Sequence, residues 1–261
     1  MGRKRYPDEK KPTGFLKPLH FKNDIQEMYA DTLLDSTITF CLGPAGTGKT
    51  FIATHIALQH LLDHDVDKII LTRPIVAVED IGYLPGDMNE KIHPYMLPLF
   101  DALEDHVGPT KAKEMLESGK VSVVPLAFMR GRSLNRSFII LDEAQNTTPE
   151  QMKMFLTRIG YDSKMSINGD LAQSDLPKHI CPINGLQYAA ERLRGCDPQI
   201  NMVEFAQRHI VRNPLIGAML SRMEGPADVT MSAHDRESAR ASKSAPARHG
   251  FHKASLFTPA E

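Results

Sequence analysis

Eight consecutive residues carry the first chemistry: Gly43-Pro44-Ala45-Gly46-Thr47-Gly48-Lys49-Thr50 satisfies the spacing G-x-x-x-x-G-K-[ST]. Glycines free such a loop to turn its backbone N–H groups inward on phosphate oxygens, and a helix beginning at its end adds a positive dipole end. Lys49 can then reach the β- and γ-phosphates of a nucleotide, and the Thr50 hydroxyl can ligate Mg²⁺. A second candidate is Phe138-Ile139-Ile140-Leu141-Asp142-Glu143, an apolar run that ends in two acids. At the C-terminal tip of a buried parallel strand, a carboxylate lies beside the phosphate loop. Asp142 is placed to hold Mg²⁺ through its water shell, and Glu143 to orient or deprotonate an attacking water. Gly169-Asp170-Leu171-Ala172-Gln173 brings another acid and an amide, Asp170 and Gln173, to the same edge, where they could sense the γ-phosphate. Singly, the three segments could be a Gly-rich turn, a polar strand end and a Gly-Asp turn. Together they converge on a nucleotide and its metal.

Such residues need elements to position them. Apolar runs at Thr37–Leu42, Lys68–Thr72, Val121–Val124, Phe138–Leu141, Lys164–Ile167 and Met202–Phe205 read as strands. Several are nearly all apolar, as strands covered on both faces should be. Helical patterns follow at Lys49–Leu62, Pro149–Arg158 and Gly185–Leu193, with Pro149 suited to a first helical turn and Thr148 to its cap. The alternation predicts an α/β fold, a parallel sheet with helices on both faces and right-handed crossovers.

Residues 1–17 hold Arg3, Lys4, Arg5, Lys10 and Lys11 among Pro and Gly and read as a basic mobile arm. From Gly225 onward the composition turns to Ser, Ala, Arg, His and Pro, too poor in large apolar residues to offset its ordering entropy, so 225–261 is expected to be disordered. That leaves 18–224 as the folded domain. The chain of 261 residues has a formal net charge of -1, so any nucleic-acid contact must come from a local basic patch. Cys41, Cys181 and Cys196 are odd in number and scattered, which suits a reducing compartment rather than a disulfide framework or zinc module. No apolar run approaches the ~20 residues that span a bilayer. No membrane partner is expected, and the expected location is cytoplasmic. His60 and His64 have a metal-compatible spacing, but they read as a solvated helix face. Met152 and Met154 read as core packing.

Larger motifs carry a family resemblance. Leu141–Asn146 and Asn168–Gln173 resemble the second and third motifs of superfamily 1 helicases. Thr72-Arg73-Pro74, Gly82-Tyr83-Leu84-Pro85-Gly86-Asp87 and Met129–Asn135 are more particular. With Asp142–Gln145 and Thr147–Thr157, they resemble the PhoH-like ATPases over about Pro18 to Met223. The resemblance implies a RecA-like P-loop core with ATP and Mg²⁺ as ligands. It also implies that Gln26, three residues before Tyr29, lies near the adenine, and that Arg212, in Val211–Leu215, serves the γ-phosphate. Some relatives carry an N-terminal nuclease domain, and the short arm here gives no support for one.

Three functional classes remain at this point. The first is an ATP-driven motor or remodeler on single-stranded nucleic acid, RNA favoured, with Arg73, Arg130 and Arg132 as candidate contacts. The second is an ATP-gated switch, and the third a small-molecule kinase. Superfamily 1 helicases close their ATP cleft with a second RecA-like domain, whereas this sequence has one phosphate loop and one acid pair. An identical subunit is the economical source of the other half. A homo-oligomeric ring, a hexamer by family resemblance, is therefore expected, with Arg212, Arg130 or Arg132 reaching a neighbour's nucleotide.

Overall fold

A run such as Phe138–Leu141, apolar at every position, has to be covered on both faces, and the computed structural model buries all four side chains completely. It describes residues 15–75, 88–177, 179, 181–211, 215, 219 and 222. Six strands form: β1 (Ile38–Leu42), β2 (Lys68–Arg73), β3 (Val121–Pro125), β4 (Ser137–Leu141), β5 (Lys164–Gly169) and β6 (Ile200–Glu204). They lie in the order β3-β2-β4-β5-β1-β6, and every neighbouring pair is parallel. All six match the runs expected as strands, with ends shifted by at most two residues.

Alternate side chains then feed two apolar layers. Helices α1 (Asp24–Asp35), α2 (Lys49–Leu62), α3 (Met88–Val107) and α4 (Pro109–Glu117) cover one face, packed on Cys41, Ile69, Leu71, Phe138 and Ile140. Helices α5 (Pro149–Leu156) and α6 (Gly185–Leu193) cover the other, packed on Phe40, Leu42, Ile70, Ile139 and Leu141. The α/β fold with helices on both faces is thus as expected. One strand, β5, separates the strand entering the Gly43–Thr50 loop from the strand ending in the acids. Thr148 does cap α5, in a reciprocal box: its hydroxyl accepts from the Gln151 N–H, and Gln151 Oε1 accepts from the Thr148 N–H. Met152 is fully buried and Met154 partly so, both within the second layer.

Three helices were not among those expected: α1, α3 and α4. Pro94 and Pro98 sit inside α3, each removing one helical hydrogen bond. Nevertheless Ile92, Met96, Leu99, Leu103 and Val107 form one buried stripe, and its packing outweighs the lost bonds. His60 and His64 also correct an expectation. α2 ends at Leu62, so His64 falls in the following turn with φ 62, exposed. His60 is buried, its ring packed on Phe138 and its Nδ1 2.9 Å from Asp65. Among the described residues no cluster of His, Cys, Asp or Glu could hold a metal by itself.

Contacts divide the chain into units 1–212 and 213–261. Of the second, Leu215, Met219 and Arg222 are described, each helical. Most of the expected arm, the Gly82–Asp87 motif, Arg212 and the expected tail lie outside the described residues. Among those described, no helix is long and apolar enough to cross a membrane.

The first helix is anchored at both ends. Asn23 accepts the Gln26 N–H at its start. At its end the Lys164 ammonium donates to the carbonyls of Leu33 (3.1 Å), Leu34 (2.9 Å) and Ser36 (2.7 Å). Partial burial pulls that ammonium below the usual lysine range, so its three carbonyl partners replace much of the lost hydration. Lys164→Met keeps the stem and deletes the cap. Its unfolding midpoint in urea should correspond to a loss of about 1–3 kcal/mol at unchanged m-value. A midpoint matching the parent would show that the cap contributes nothing.

Candidate nucleotide site

The phosphate loop leaves β1 between β5 and β6, and both neighbours fix it. The Gly43 N–H donates to the Gly169 carbonyl at 3.0 Å, and the Phe205 N–H donates to the Leu42 carbonyl at 2.7 Å. Gly43 has φ 138, and a Cβ there would lie 2.4 Å from the Phe205 carbonyl oxygen, so only glycine fits. Further along, the Gly46 carbonyl accepts the Val211 N–H at 2.8 Å, and the Thr47 hydroxyl donates to the Pro44 carbonyl at 3.0 Å. Gly48 ends the loop at φ 90, and α2 begins at Lys49, with no side chain capping its first N–H groups. The Lys49 ammonium folds over the loop and donates to the carbonyls of Gly43 (2.6 Å) and Pro44 (2.8 Å).

The acids arrive from β4. Asp142 is still in the ladder, its N–H donating to the Thr72 carbonyl at 2.9 Å. Its carboxylate accepts the Thr50 hydroxyl at 2.6 Å. Burial, and then the neighbouring Glu143, push the Asp142 carboxyl above the usual carboxylate range, while Thr50, Arg73 and Lys49 oppose the shift. Glu143 leaves the ladder in the left-handed region, with φ 52 and ψ 41. One of its oxygens lies 3.2 Å from an Arg73 guanidinium nitrogen, and the other accepts from the Gln145 side-chain amide. Oxygen donors from Thr50 and Asp142 converge beside a second carboxylate, a donor set that fits Mg²⁺ with phosphate and water completing the shell.

A cavity of about 260 Å³ gathers these groups, lined by Ala45, Gly46, Gly48, Lys49, Thr50, Phe51, Asp142, Glu143, Gly169, Asp170 and Gln173. Asp170 and Gln173 therefore do face the same space as the loop and the acids. Gln26 does not line it. Buried beneath the loop, its amide donates to the Thr47 carbonyl at 2.9 Å and accepts the Lys22 N–H at 2.8 Å. Arg130 and Arg132 are exposed on the β3–β4 connection and are not among the lining residues.

Two participants were not singled out from the sequence. Gln145 joins the segments: its amide reaches Glu143, its side-chain oxygen accepts the Asp170 N–H at 3.1 Å, and its carbonyl accepts the Ser174 hydroxyl at 3.1 Å. Phe51, directly after Thr50, is 41% exposed and packs its ring 4.0 Å from that of His106. His106 Nε2 lies 2.8 Å from the Phe51 carbonyl, and burial pushes this imidazole below its usual range. Burial and the nearby His106 push His55 lower still, to about 4, so both rings are neutral near pH 7. An aromatic directly after G-K-T is the signal that could have marked Phe51.

Comparison with known proteins shows the family. A PhoH-like family model matches residues 18–224. A PhoH-like protein of Bacillus subtilis is 47% identical over 205 residues, 78% of this chain and 63% of that protein. Protein PhoH of Escherichia coli K12 is 42% identical over 201 residues, 76% of this chain and 56% of that protein. The chain thus spans roughly three-fifths of the length of these relatives. Among solved structures, the large terminase of a thermophilic bacteriophage aligns at TM-score 0.46 and 13% identity, over 79% of this chain and 50% of that one. The Pif1 helicase of Candida albicans aligns at TM-score 0.39 and 12% identity, over 78% and 44%. Every element that lines the cavity falls within residues 18–224, and the chain belongs to the PhoH-like protein family.

Proposed function

We propose that this chain binds ATP with Mg²⁺, hydrolyses it, and couples hydrolysis to single-stranded nucleic acid, with RNA the favoured partner. One observation carries the reading: Lys49, Thr50, Asp142 and Glu143 meet at a single cavity, with the Thr50 hydroxyl 2.6 Å from Asp142. The loop N–H groups hold the phosphates, and Lys49 exchanges its two carbonyl partners for β- and γ-phosphate oxygens. Gln26 contributes from beneath by fixing Thr47, and Asp170 and Gln173 face the γ-phosphate. Glu143 takes a proton from the attacking water as its oxygen bonds to the γ-phosphorus. The bond from that phosphorus to the bridging oxygen breaks, leaving ADP and phosphate. Thr50 and Asp142 would hold Mg²⁺, which when bound would neutralise part of the phosphate charge.

Support for the polynucleotide partner comes from the helicase-like order of the motifs and from Arg73, which stands at the site yet keeps a partly open face. The direct experiment measures ATP turnover alone and with single-stranded RNA, single-stranded DNA and duplexes. Stimulation by single strands, RNA above DNA, is expected. An unstimulated rate, equal with every polynucleotide, would leave the ATP-gated switch as the reading.

Arg130 and Arg132 are exposed and away from their own subunit's cavity, so a role at the nucleotide is open to them across an interface. We therefore also propose a head-to-tail homo-oligomeric ring, six subunits by family resemblance, with Arg130, Arg132 or Arg212 serving the neighbour's ATP.

Three outcomes follow for this site. Lys49→Ala should lower turnover by about a hundredfold or more, because charge developing on the phosphates loses its cation. Near-normal turnover in the folded variant would displace the site. Glu143→Gln should keep ATP binding within a few-fold by calorimetry while hydrolysis falls about a hundredfold or more. If binding collapses as well, Glu143 is structural and another group handles the water. Finally, mixing Lys49→Ala protein with an arginine variant should restore activity at hybrid junctions if that arginine acts across the interface. A fully active monomer in sedimentation would end the ring.

A further inference from the structure

Arg73 closes β2 one residue after Thr72, whose carbonyl accepts the Asp142 N–H. From there its guanidinium lies 3.2 Å from Glu143 Oε1, while Glu143 Oε2 accepts from Gln145. Glu143 is therefore gripped from both sides, by a cation from the neighbouring strand and by an amide from its own loop. A hydrogen bond from Gln145 holds one oxygen and the Arg73 cation stands against the other, so the two restrain how the carboxylate can turn, while each oxygen keeps a lone pair open to a water.

The two grips differ in kind. Gln145 is buried, and its side-chain oxygen also fixes the Asp170 backbone at the cavity wall. Releasing it would disturb the Asp170 turn as well. Arg73 keeps 24% of its side chain exposed, and Glu143 keeps 35%. A guanidinium offers five N–H donors in a planar fork that matches phosphate oxygens as well as it matches a carboxylate. A partly exposed ion pair, open to solvent on one side, can exchange one anion for another. Arg73 is the grip that can let go.

We propose that Arg73 is a latch on Glu143. Without a polynucleotide it holds the carboxylate in the ion pair. A backbone phosphate of single-stranded nucleic acid draws the guanidinium away, and Glu143 Oε1 is freed for the attacking water. No covalent bond changes in this exchange, which replaces one anion partner of Arg73 by another. The proposal rests on the reading of the site as a nucleic-acid-coupled ATP hydrolase. It goes beyond that reading by assigning Arg73 a restraining role, and it makes Arg73 a positioning residue.

Two other roles would fit the same location, and the sign of the effect separates them. If Arg73 contacted the transferring phosphate, its loss would slow the basal reaction. If it only braced β2 against β4, its loss would change stability and leave the response to nucleic acid intact. The test uses the full chain with Arg73→Ala, Arg73→Gln and Arg73→Lys. Steady-state ATP turnover is measured with and without an oligouridylate of about 20 nucleotides, with anisotropy of the labelled oligomer in parallel. The latch predicts that Arg73→Ala and Arg73→Gln raise basal kcat by about two- to fivefold at unchanged KM for ATP. Stimulation by the oligomer should fall close to onefold, its affinity should weaken, and Arg73→Lys should recover part of each. A basal kcat lowered about tenfold or more would make Arg73 a catalytic contact and overturn the latch. An unchanged basal rate with full stimulation would overturn it equally. Should Arg73→Ala fail to fold, the Gln and Lys variants carry the same comparison. If the wild-type chain hydrolyses no ATP with or without a polynucleotide, the hydrolase reading fails and the latch with it. If wild type turns over and is stimulated while the variants show no basal rise, the latch alone fails.

Discussion

Asp142 and Glu143 put two carboxylates on adjacent residues at the mouth of a buried strand, where like charges resist being ionised together. Burial and the Glu143 charge both push the Asp142 carboxyl upward. Much of the surrounding architecture answers that strain. Thr50 donates to Asp142 from the start of α2, and Lys49 and Arg73 supply positive charge within reach. Arg73 and Gln145 divide the oxygens of Glu143 between them. A divalent cation beside Thr50 and Asp142 would relieve the same repulsion more strongly. The acid pair is thereby matched to a site where positive charge gathers.

The phosphate loop is held by different means. Gly43 is tied to β5, Leu42 to the residue that follows β6, Gly46 to Val211, and Thr47 to Gln26 on α1. These are neutral hydrogen bonds, all but the last backbone to backbone, and ionic exchange has little purchase on them. The cradle is thus preorganised, which spares reorganisation when charge develops on a bound phosphate. Of the two acids, Asp142 is held by the Thr50 hydroxyl, and Glu143 is held by the Arg73 charge and can change partners.

Two-sided burial made the strands legible, because near-continuous apolar runs have few other uses in a sequence of this composition. The phosphate loop, the acid pair and the Gly169–Gln173 turn were legible for a related reason: each is local, and each follows a recognisable strand. α3 was hidden by Pro94 and Pro98, although Ile92, Met96, Leu99, Leu103 and Val107 keep a helical spacing through them. His60 was misplaced on a solvated face, yet Ile52, Ile56 and His60 recur every fourth residue along the buried side of α2. The pairing of Arg73 with Glu143 could not be read locally. It depends on the register that sets Thr72 beside Leu141, residues far apart in sequence because β3 intervenes in the chain but not in the sheet. Gln145 was invisible for the same reason, since its partners Asp170 and Ser174 come from the turn after β5.

That register also separates the two acids mechanically. Asp142 is the last residue held in the ladder, so its carboxylate is fixed relative to Thr50 and the loop. Glu143 is the first residue out of it, in a left-handed conformation that costs an L-residue about 1–2 kcal/mol. Such strain persists only where the surroundings over-determine it. Here the following turn is bolted down: Asn146 donates to Asp175 at 2.8 Å and accepts its N–H at 2.9 Å, and Thr147 donates to the Ala144 carbonyl at 2.7 Å. With the turn fixed behind it and the ladder fixed before it, the freedom left to Glu143 lies in its side chain. A residue that must grip a metal gains from the ladder. A residue that must meet a water at the right moment gains from standing just outside it, and the roles proposed for Asp142 and Glu143 fall on opposite sides of that boundary.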